Sequence, residues 1–307
     1  MNFGNHNFTC TGCHQKKALI TELVKSTCDS MDSEDQSSYY SVEGMSKIQN
    51  KNLGDITIVH VNARSLVYNF DSILSFLEKA NLPEIICVSE TRLRDKKKKW
   101  QKKLVTIPNY HPIYDNSPTS ASGVAIYAKQ DIFKIEFRKD LKLEVPKCES
   151  IFLEIEVSNE SSEHVKTLLV GSVYRHPSKS NTTLFTDEFC NTLEKYTNRN
   201  IPVVILGDIN FDVSKASSDS VQHYHNALSS IGCSNIIKIY TRFGRSKKGI
   251  SRSILDHIIT NIDEDKVVGG VINYPITDHL PIFIILKKQI TPTDEKKDEA
   301  MWRFIDE

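Results

Sequence analysis

Short apolar runs, rich in β-branched residues, recur through the middle of the chain and are separated by polar or amphipathic stretches. The first run, Ile56–Val61, has the length and composition of a buried strand. The next stretch, Phe70–Ala80, is amphipathic and ends before Asn81 and Pro83, residues that commonly stop a helix. Further strands are predicted at Glu84–Val88, Gly123–Ala128, Ile151–Val157, Leu168–Tyr174, Val203–Leu206, Leu255–Thr260 and Ile282–Leu286.

Two later stretches have helical periodicity. In Leu184–Asn198 the apolar residues fall on one helical face, and Val221–Ile231 predicts a second helix. Many strands with a few interleaved helices are typical of α/β proteins. We therefore predict an α/β fold with a mixed sheet or two sheets, and not a helical bundle.

The two ends of the chain differ from this pattern. We predict a flexible leader over residues 1–54, because Ser30–Asn50 is polar and has few large apolar residues. Within it, Cys10 and Cys13 have the spacing of one half of a zinc site, but no convincing second pair follows. The leader is thus either the remnant of a zinc finger or plain flexible chain, and its composition favours the second. Residues 289–307 are mostly charged and predict a tail or a truncated linker, which leaves 55–288 as the folded domain.

Composition narrows the class of protein without naming an activity. The 307 residues are 39% hydrophobic and 25% charged, as in ordinary soluble globular proteins. Lys and Arg together number 39, as do Asp and Glu, so the formal net charge is zero and does not indicate a nucleic-acid partner. A surface that binds nucleic acid would have to be a local cluster of basic residues. The seven scattered cysteines predict reduced thiols, and no apolar run has the length of a signal peptide or a membrane span. We therefore expect a nuclear or cytoplasmic protein that is not secreted and has no membrane partner.

Polar residues that can take part in catalysis or metal binding lie at the ends of the predicted strands, where α/β proteins usually have their functional sites. Asn62, Glu90 and Tyr174 end three strands, and Asp208 with Asn210 follow a fourth. Later in the chain come Asp256 and the segment Thr277-Asp278-His279. Hydrolysis of a phosphate ester needs a histidine oriented by a carboxylate, and further carboxylates and an amide that bind a hard cation. These residue types are all present here. Taken singly, each residue has a structural alternative as a turn residue, a helix cap, a packed aromatic or a core histidine.

Six blocks containing these residues resemble, in the same order, the motifs of a known family. The family is the endonuclease/exonuclease/phosphatase superfamily, and the closest resemblance is to the apurinic/apyrimidinic-endonuclease-like domain of non-LTR (LINE-type) retrotransposons. From the first block to the last, the resemblance spans roughly three quarters of the chain. Because all six blocks occur in the family's order, we favour the functional interpretation of the set over the structural alternatives for single residues. The blocks read Val-Asn62-Ala-Arg64-Ser-Leu, Ser-Glu90-Thr-Arg-Leu, Gly-Ser-Val-Tyr174-Arg175-His-Pro, Leu-Gly-Asp208-Ile-Asn210-Phe-Asp212, Ser253-Ile-Leu-Asp256-His-Ile and Thr277-Asp278-His279-Leu-Pro281.

The resemblance implies a fold and an activity. The fold would be the DNase I-like four-layer sandwich, with two mixed β-sheets packed face to face and flanking helices. The activity would be metal-dependent hydrolysis of a phosphodiester in DNA, by in-line attack of water and without a covalent intermediate, which leaves a 3′-hydroxyl. The cofactor would be Mg²⁺ or Mn²⁺, with Glu90 as its principal ligand and Asn62 contributing to the same region.

The resemblance also implies roles for the catalytic residues. Asp208 would orient or deprotonate the attacking water, and Asn210 would hold that water or the scissile phosphate. His279 would stabilise charge on the phosphate oxygens, with Asp256 fixing its tautomer. Tyr174 would donate a hydrogen bond to the phosphate, and Asp278 would reach the metal or the leaving oxygen.

DNA contacts are expected from residues around this set. Thr241, Arg242, Ser253 and Arg175 would border the site or contact the DNA backbone. The basic run 96–103 closely follows the Glu90 block, so Lys97 and Lys98 would bind phosphates, although a solvated face is the commoner meaning of such a run.

The chain departs from the family pattern at three places. Ser122 stands where a second glycine usually precedes Gly123, His176 where proline is frequent, and Thr277 where serine is usual. None of these changes removes a predicted catalytic group, so we expect an active enzyme. No reverse-transcriptase region follows, so we do not expect retrotransposition from this chain alone.

Two alternatives remain open from the sequence. The same fold could act on another phosphoester, in a phospholipid, an inositol phosphate or RNA, or the chain could be a catalytically silent nucleic-acid-binding module. Target-site preference and oligomeric state lie beyond what these motifs encode.

Overall fold

Strands that are apolar on both faces must be covered on both faces, and the chain does this by stacking layers. The computed structural model describes residues 11–28, 38–49, 54–93, 103–115, 122–130, 134–157, 166–177, 181–246 and 249–287. Within this part of the chain, two large mixed sheets lie between helices, which confirms the α/β sandwich expected from the sequence.

The first sheet has seven strands and gathers the two ends of the domain. Its order is β1-β14-β15-β2-β3-β5-β4, with β1/β14 and β2/β3 parallel and the other pairs antiparallel. The last strand, β15, therefore pairs with the early strand β2. The bounds are β1 Ser38–Tyr40, β2 Ile56–Asn62, β3 Ile85–Ser89, β4 Tyr110–Asp115, β5 Val124–Lys129, β14 Val267–Ile272 and β15 Ile282–Leu286.

The second sheet has six strands from the middle of the chain. Its order is β10-β13-β9-β8-β7-β6, with only β8/β9 parallel. A separate antiparallel hairpin, β11–β12, lies just before β13 in the sequence. The bounds are β6 Lys134–Phe137, β7 Cys148–Val157, β8 Lys166–Arg175, β9 Val203–Asp208, β10 Ser234–Asn235, β11 Arg242–Ser246, β12 Gly249–Ser253 and β13 Asp256–Thr260.

Three apolar clusters hold the layers together. One lies between the sheets and packs residues such as Ile58 and Ile284 of the first sheet against Leu206 and Ile258 of the second. The helices are α1 Thr11–Cys28, α2 Val42–Gln49, α3 Leu66–Lys79, α4 Thr182–Thr197 and α5 Asp219–Ser230. The second cluster covers the outer face of the first sheet with α2 and α3, and the third covers the outer face of the second sheet with α4 and α5.

The N-terminal region differs from the flexible leader that its composition predicted. Ile20, Leu23 and Val24 of α1 are buried and belong to the cluster between the sheets, because their spacing places them on one helical face. The strand β1 is parallel to β14 and extends the first sheet, and α2 buries Met45 against its outer face. A polar segment is ordered here because neighbouring elements supply both hydrogen bonds and apolar surface. Cys10 and the tail 289–307 lie outside the described residues, and the zinc interpretation remains a prediction.

Two further expectations concern thiols and membranes. Cys87, Cys148, Cys190 and Cys233 are buried free thiols, as a reduced protein requires. None of the described helices has the length and apolar character needed to cross a membrane.

Gly207 permits a close approach between β8 and β9. A Cβ atom placed on Gly207 would lie 1.8 Å from the carbonyl oxygen of Val173, which is a backbone atom of a paired strand and cannot rotate away. We expect Gly207→Ala to lower the free energy of unfolding by several kcal/mol, on the order of 3 or more, because the pair must open. Urea unfolding followed by circular dichroism measures this change.

Gly232→Ala is the matched control for that substitution. Gly232 has a φ of +71° but nothing within 4 Å of a built Cβ, so only backbone strain of about 1 kcal/mol is expected. Equal losses in the two variants would contradict the proposed steric role of Gly207.

Candidate active site

Polar residues from both sheets meet at one edge of the sandwich. Asn62 ends β2, and Glu90 follows the parallel neighbour β3. In the second sheet, Asp208 ends β9 opposite Tyr174 of β8 and opposite Asp256 of β13. The strands thus bring together residues that lie far apart in the chain.

Asn62 joins the two halves of this site. Its amide nitrogen donates to Glu90 Oε1 at 3.1 Å and to Asp208 Oδ2 at 2.8 Å, while its oxygen accepts the backbone N–H of Arg64 at 3.1 Å. In this arrangement the amide nitrogen of Asn62 holds two carboxylates in place. Its expected contribution to the metal, through the amide oxygen, remains a prediction.

Asp256 and His279 form a buried pair beside Asp208. His279 Nδ1 lies 2.8 Å from Asp256 Oδ2. Burial alone would lower the pKa of His279, but the carboxylates of Asp256 and Asp208 outweigh burial and raise the pKa to about 9. Burial would raise the pKa of Asp256, yet His279 keeps it below its usual value. The imidazole is therefore held as a cation at neutral pH, with Nε2 directed away from Asp256.

Asp208 is fully buried among other acids. Burial raises the pKa of its carboxyl group, His279 opposes this, and the carboxylates of Asp256 and Glu90 raise the pKa further. A group with a pKa moved toward neutrality can both accept and hold a proton near pH 7. Its neighbour Tyr174 is 3% exposed, and burial raises the pKa of the phenol, so that Tyr174 is a neutral hydrogen-bond donor.

The loop after β9 is fixed by Arg175, which was expected to contact DNA. Asn210 has a φ of +53° and donates from its side chain to the backbone oxygen of Arg175 at 2.8 Å. The Arg175 guanidinium is buried and stacks on Phe211 at 4.5 Å from the ring centroid. The guanidinium packs on Phe185 and Phe211 of the outer cluster, on the opposite face of β8 from Tyr174, so it does not line the site. The structure therefore differs from the predicted DNA contact, and Arg175 orients the Asn210 loop.

Two threonines have similar internal roles. Thr241 was expected to contact DNA, but it is fully buried, and its hydroxyl accepts the backbone N–H groups of Leu255 and Asp256 at 3.1 Å. Thr277 accepts the N–H of His279 at 3.1 Å and donates to the backbone oxygen of Asn62. The hydroxyl retained where the family usually has serine thus ties His279 to the end of β2.

The remaining predicted DNA contacts fall into two groups. Arg242 at the start of β11 and Ser253 at the end of β12 are partly exposed next to the site, and Arg242 forms an ion pair with Asp278 at 3.0 Å. Lys97 and Lys98 lie outside the described residues.

His60 is a buried neighbour of these residues that we did not predict from the sequence. It is fully buried in β2, with Nε2 at 3.1 Å from Ser89 Oγ and Nδ1 at 3.7 Å from Asp256 Oδ1. Burial lowers its pKa to about 4, more than the charge of Asp256 raises it, so His60 is neutral. In the tautomer protonated on Nδ1, it directs an N–H dipole at the Asp256 oxygen that His279 does not use. The alternation of Ile58, His60 and Asn62 along β2 is the sequence signal that places His60 on this face.

Glu149 and Ser122 were also missed. Glu149 of β7 lies opposite Tyr174 in the strand register, is largely buried, and accepts a hydrogen bond from Ser122 Oγ at 3.0 Å. Ser122 occupies the position where the family has a glycine, and its backbone oxygen also accepts the N–H of Arg92 at 2.9 Å. The substitution therefore links the Glu90 loop to β7.

Several residues around the site have left-handed backbone conformations. Arg64, Ser65, Glu90, Arg92 and Asn210 all have positive φ values between 44° and 117°. Such conformations cost free energy in residues other than glycine and persist only where surrounding contacts impose them. The backbone is thus held in a shape that aims these side chains at the same edge of the sandwich.

Comparison with known proteins identifies the same fold. The AP endonuclease LMAP from Leishmania major superposes with a TM-score of 0.60 at 12% identity, covering 86% of this chain and 98% of that one. The endonuclease domain of TRAS1, a telomere-specific non-LTR retrotransposon, gives 0.58 at 12% identity, with 76% and 99% covered. A 3′ phosphatase from Neisseria bound to a product DNA hairpin gives 0.56 at 18% identity, again with 76% and 99% covered.

The search of curated proteins gives no match. Residues 58–279, however, match the Endonuclease/Exonuclease/phosphatase family along most of the chain and span every site residue from Asn62 and Glu90 to His279. The chain is a member of the Endonuclease/Exonuclease/phosphatase family, and its fold is that of a phosphoesterase.

Proposed function

We propose that this protein is a DNA endonuclease that requires Mg²⁺ or Mn²⁺ and nicks one strand to leave a 3′-hydroxyl. The observation that carries the proposal is the bridge by Asn62 between Glu90 and Asp208, with the Asp256–His279 pair directly beside it. These groups support the proposal because hydrolysis of a phosphate ester needs an acid, a base and charge-stabilising groups close together.

The donor chemistry of the site fits a hard divalent cation. Glu90, Asp208 and Asp256 crowd three carboxylates together, and this crowding contributes to the raised pKa of Asp208. Asp208, Asp256 and His279 also offer ligand atoms within 4.8 Å of one another. We assign the cation to Glu90, because His279 is committed to Asp256. When bound, the ion supplies positive charge for the phosphate oxygens.

Asp208 and Asn210 prepare the attacking water. Asp208 accepts a proton from the water as attack proceeds, and its raised pKa makes that transfer favourable near neutral pH. Asn210 is anchored through the backbone oxygen of Arg175 and through its own N–H to Asp208 Oδ1 at 3.2 Å, which fixes it next to the base. It holds the water in line with the scissile bond.

His279 and Tyr174 bind the phosphate. The imidazolium of His279 places a positive charge against the negative charge that builds up on the phosphate oxygens, and Asp256 keeps the ring protonated and oriented. Tyr174 contributes a neutral O–H donor. In this proposal the water attacks the phosphorus directly, without a covalent intermediate on the protein.

The hairpin β11–β12 supports a nucleic acid as the substrate. It projects an exposed edge with Ile250 and Arg252, while its base carries Arg242 and Ser253 beside the site. Backbone N–H groups also tie it to the catalytic segment, because Phe243 donates to the oxygen of Asp278 at 2.9 Å. The arginines on this hairpin can attract the phosphates of a nucleic-acid backbone, because such a backbone carries one negative charge at each phosphate.

Nicking of supercoiled plasmid tests the proposal. Wild-type protein with Mg²⁺ is expected to convert supercoiled DNA to open circles whose 3′ ends prime a DNA polymerase directly. EDTA should abolish the reaction, as should Glu90→Ala, Asp208→Ala and His279→Ala. Nicking that persists in all three variants would refute the assignment of the site.

A substrate panel separates the alternatives. Release of phosphate from inositol phosphates or phospholipids without nicking would favour the same fold acting on another phosphoester. Binding of DNA without any metal-dependent cleavage would favour a silent binding module.

His60 is expected to position Asp256 during this reaction. We expect His60→Leu to lower kcat for nicking by about 10- to 100-fold with KM unchanged, because Asp256 loses the imidazole whose Nδ1 lies 3.7 Å from its second oxygen. His60→Asn can place an amide N–H where Nδ1 lies and should recover most of the rate. Steady-state kinetics and thermal melting of both variants provide the measurement. A folded Leu variant with the wild-type rate, or an Asn variant as slow as Leu, would exclude the positioning role.

A further inference from the structure

Asp278 lies between two arginines that come from different parts of the fold. Arg64 Nη1 is 2.5 Å from Asp278 Oδ1, and Arg242 Nε is 3.0 Å from Asp278 Oδ2. Both carboxylate oxygens are therefore engaged by guanidinium groups. The Asp278 side chain is only 19% exposed, whereas those of Arg64 and Arg242 are 47% and 39% exposed, so the arginines face solvent and the acid lies behind them.

The backbone fixes both arginines next to the catalytic residues. Arg64 follows Asn62 by two residues, has a φ of +44°, and donates its N–H to Asn62 Oδ1. Arg242 forms an isolated antiparallel bridge with His279 at the base of the hairpin. Arg64 therefore stands beside the half of the site that carries Glu90, and Arg242 beside the half that carries His279.

Charge argues against a cation at Asp278. A divalent ion there would have to displace or approach two guanidinium groups, and like charges at such distances in a partly buried site repel strongly. Glu90 is less committed, because one of its oxygens accepts the amide of Asn62 and the other pairs with the single guanidinium of Arg92.

Each guanidinium uses one of its nitrogens toward Asp278 in these bonds and carries five N–H donors in a planar fork. That fork matches the oxygens of a phosphate diester, and a carboxylate that fixes the guanidinium lowers the entropy lost on binding. Two guanidinium groups held by one acid beside a phosphoesterase site form a preorganised receptor for a nucleic-acid backbone.

We propose that Arg64 and Arg242 form a clamp for backbone phosphates next to the cleaved bond, and that Asp278 organises this clamp and does not ligate the metal ion. The proposal rests on the proposed function for the identity of the polyanion. It deepens that function by naming the groups that bind the phosphates flanking the cleavage point.

Salt dependence of DNA binding tests the clamp. Fluorescence anisotropy of a fluorescein-labelled 20-base-pair duplex, titrated in EDTA so that no cleavage occurs, gives Kd over a series of NaCl concentrations. We expect Arg64→Gln and Arg242→Gln each to lower the slope of log Kd against log salt by about 1, because each removes one phosphate contact. Arg64→Lys keeps the charge and should keep the slope. Slopes equal to the wild-type value in both Gln variants would overturn the clamp.

Arg199→Gln is the matched control. Arg199 is exposed and lies shortly before β9 begins, whereas the site is where β9 ends, so the same loss of charge should leave the slope unchanged. A slope lowered equally in this control would mean that net charge alone governs binding, and would also overturn the clamp.

Direct metal binding tests the role of Asp278. Mn²⁺ titration followed by electron paramagnetic resonance, without DNA, is expected to give Asp278→Asn a Kd within about twofold of wild type, because the acid is not a ligand. Weaker binding than this would overturn the assignment.

The two proposals fail separately. A wild-type protein that binds the duplex with an arginine-dependent slope but does not nick plasmid would remove the hydrolytic function and leave the clamp. A protein that nicks plasmid with unchanged slopes in the Gln variants would remove only the clamp.

Discussion

Asp208→Asn is expected to lower the rate of plasmid nicking by at least about 10³-fold while leaving the Kd for duplex DNA unchanged. The substitution keeps the size of the side chain but removes the group that accepts a proton from water. The assay is single-turnover nicking with Mg²⁺, paired with anisotropy in EDTA. A variant that retains more than about a tenth of the wild-type rate would mean that another group takes the proton.

The same substitution should change how stability depends on pH. Folded Asp208 has a raised pKa, and folded His279 has a pKa of about 9 against 6.5 for an ordinary histidine. Between pH 6.5 and 9 the folded state therefore holds more protons than the unfolded state, so stability falls as pH rises. We expect urea unfolding in EDTA to show this decline in wild type, by up to about 5 kcal/mol from the two groups together, and a flatter profile in Asp208→Asn. Equal slopes would contradict the raised pKa of Asp208.

Asp256→Asn is expected to shift the alkaline limb of the nicking rate to lower pH by at least about one unit. Burial lowers the pKa of His279, and the carboxylate of Asp256, with that of Asp208, raises it to about 9. Without the Asp256 charge, the imidazolium loses its proton earlier as pH rises. The rate at the optimum should also fall on the order of 10²- to 10⁴-fold, because the ring loses its orienting partner. A full pH–rate profile from pH 5.5 to 10 records both effects.

The chain contains a matched control for this experiment. Asp187 and His223 form an aspartate–histidine pair at 3.2 Å whose side chains are about half exposed and which lies on the helices outside the second sheet. Asp187→Asn removes the same charge from the same kind of pair and should leave both the rate and its pH dependence unchanged. An unshifted alkaline limb in Asp256→Asn would show that His279 is not the titrating group.

The strands predicted from the sequence are those with uninterrupted apolar runs. Val203–Leu206 and Ile282–Leu286 are buried on both faces, so their composition alone indicates a central strand. The strand β4 contains Pro112, and β14 contains Gly269 and Gly270, residues that argue against a strand when the neighbours are unknown. These strands form because adjacent strands supply hydrogen bonds, which a single sequence does not reveal.

The residues of the candidate site were also only partly predictable from the sequence. Residue type and order were enough to find Glu90, Asp208 and His279, which the structure brings to one edge of the sandwich together with their partners. Burial was not predictable from type, so Arg175 and Thr241 were expected to face DNA but instead support the site from within. The direction of a side chain depends on strand register across the sheet, and register is set by distant parts of the chain.

The pairing of β15 with β2 has a consequence for the timing of activity in the cell. The strand β15, which joins β14 to β2 within the first sheet, and His279 just before it both come from the last part of the described chain, although their partner β2 is made early. During translation, a nascent polypeptide shorter than about 286 residues lacks β15, so β14 cannot join the sheet and the candidate site stays incomplete. The proposed activity would therefore begin only after the ribosome has released β15 and this strand has paired with β2.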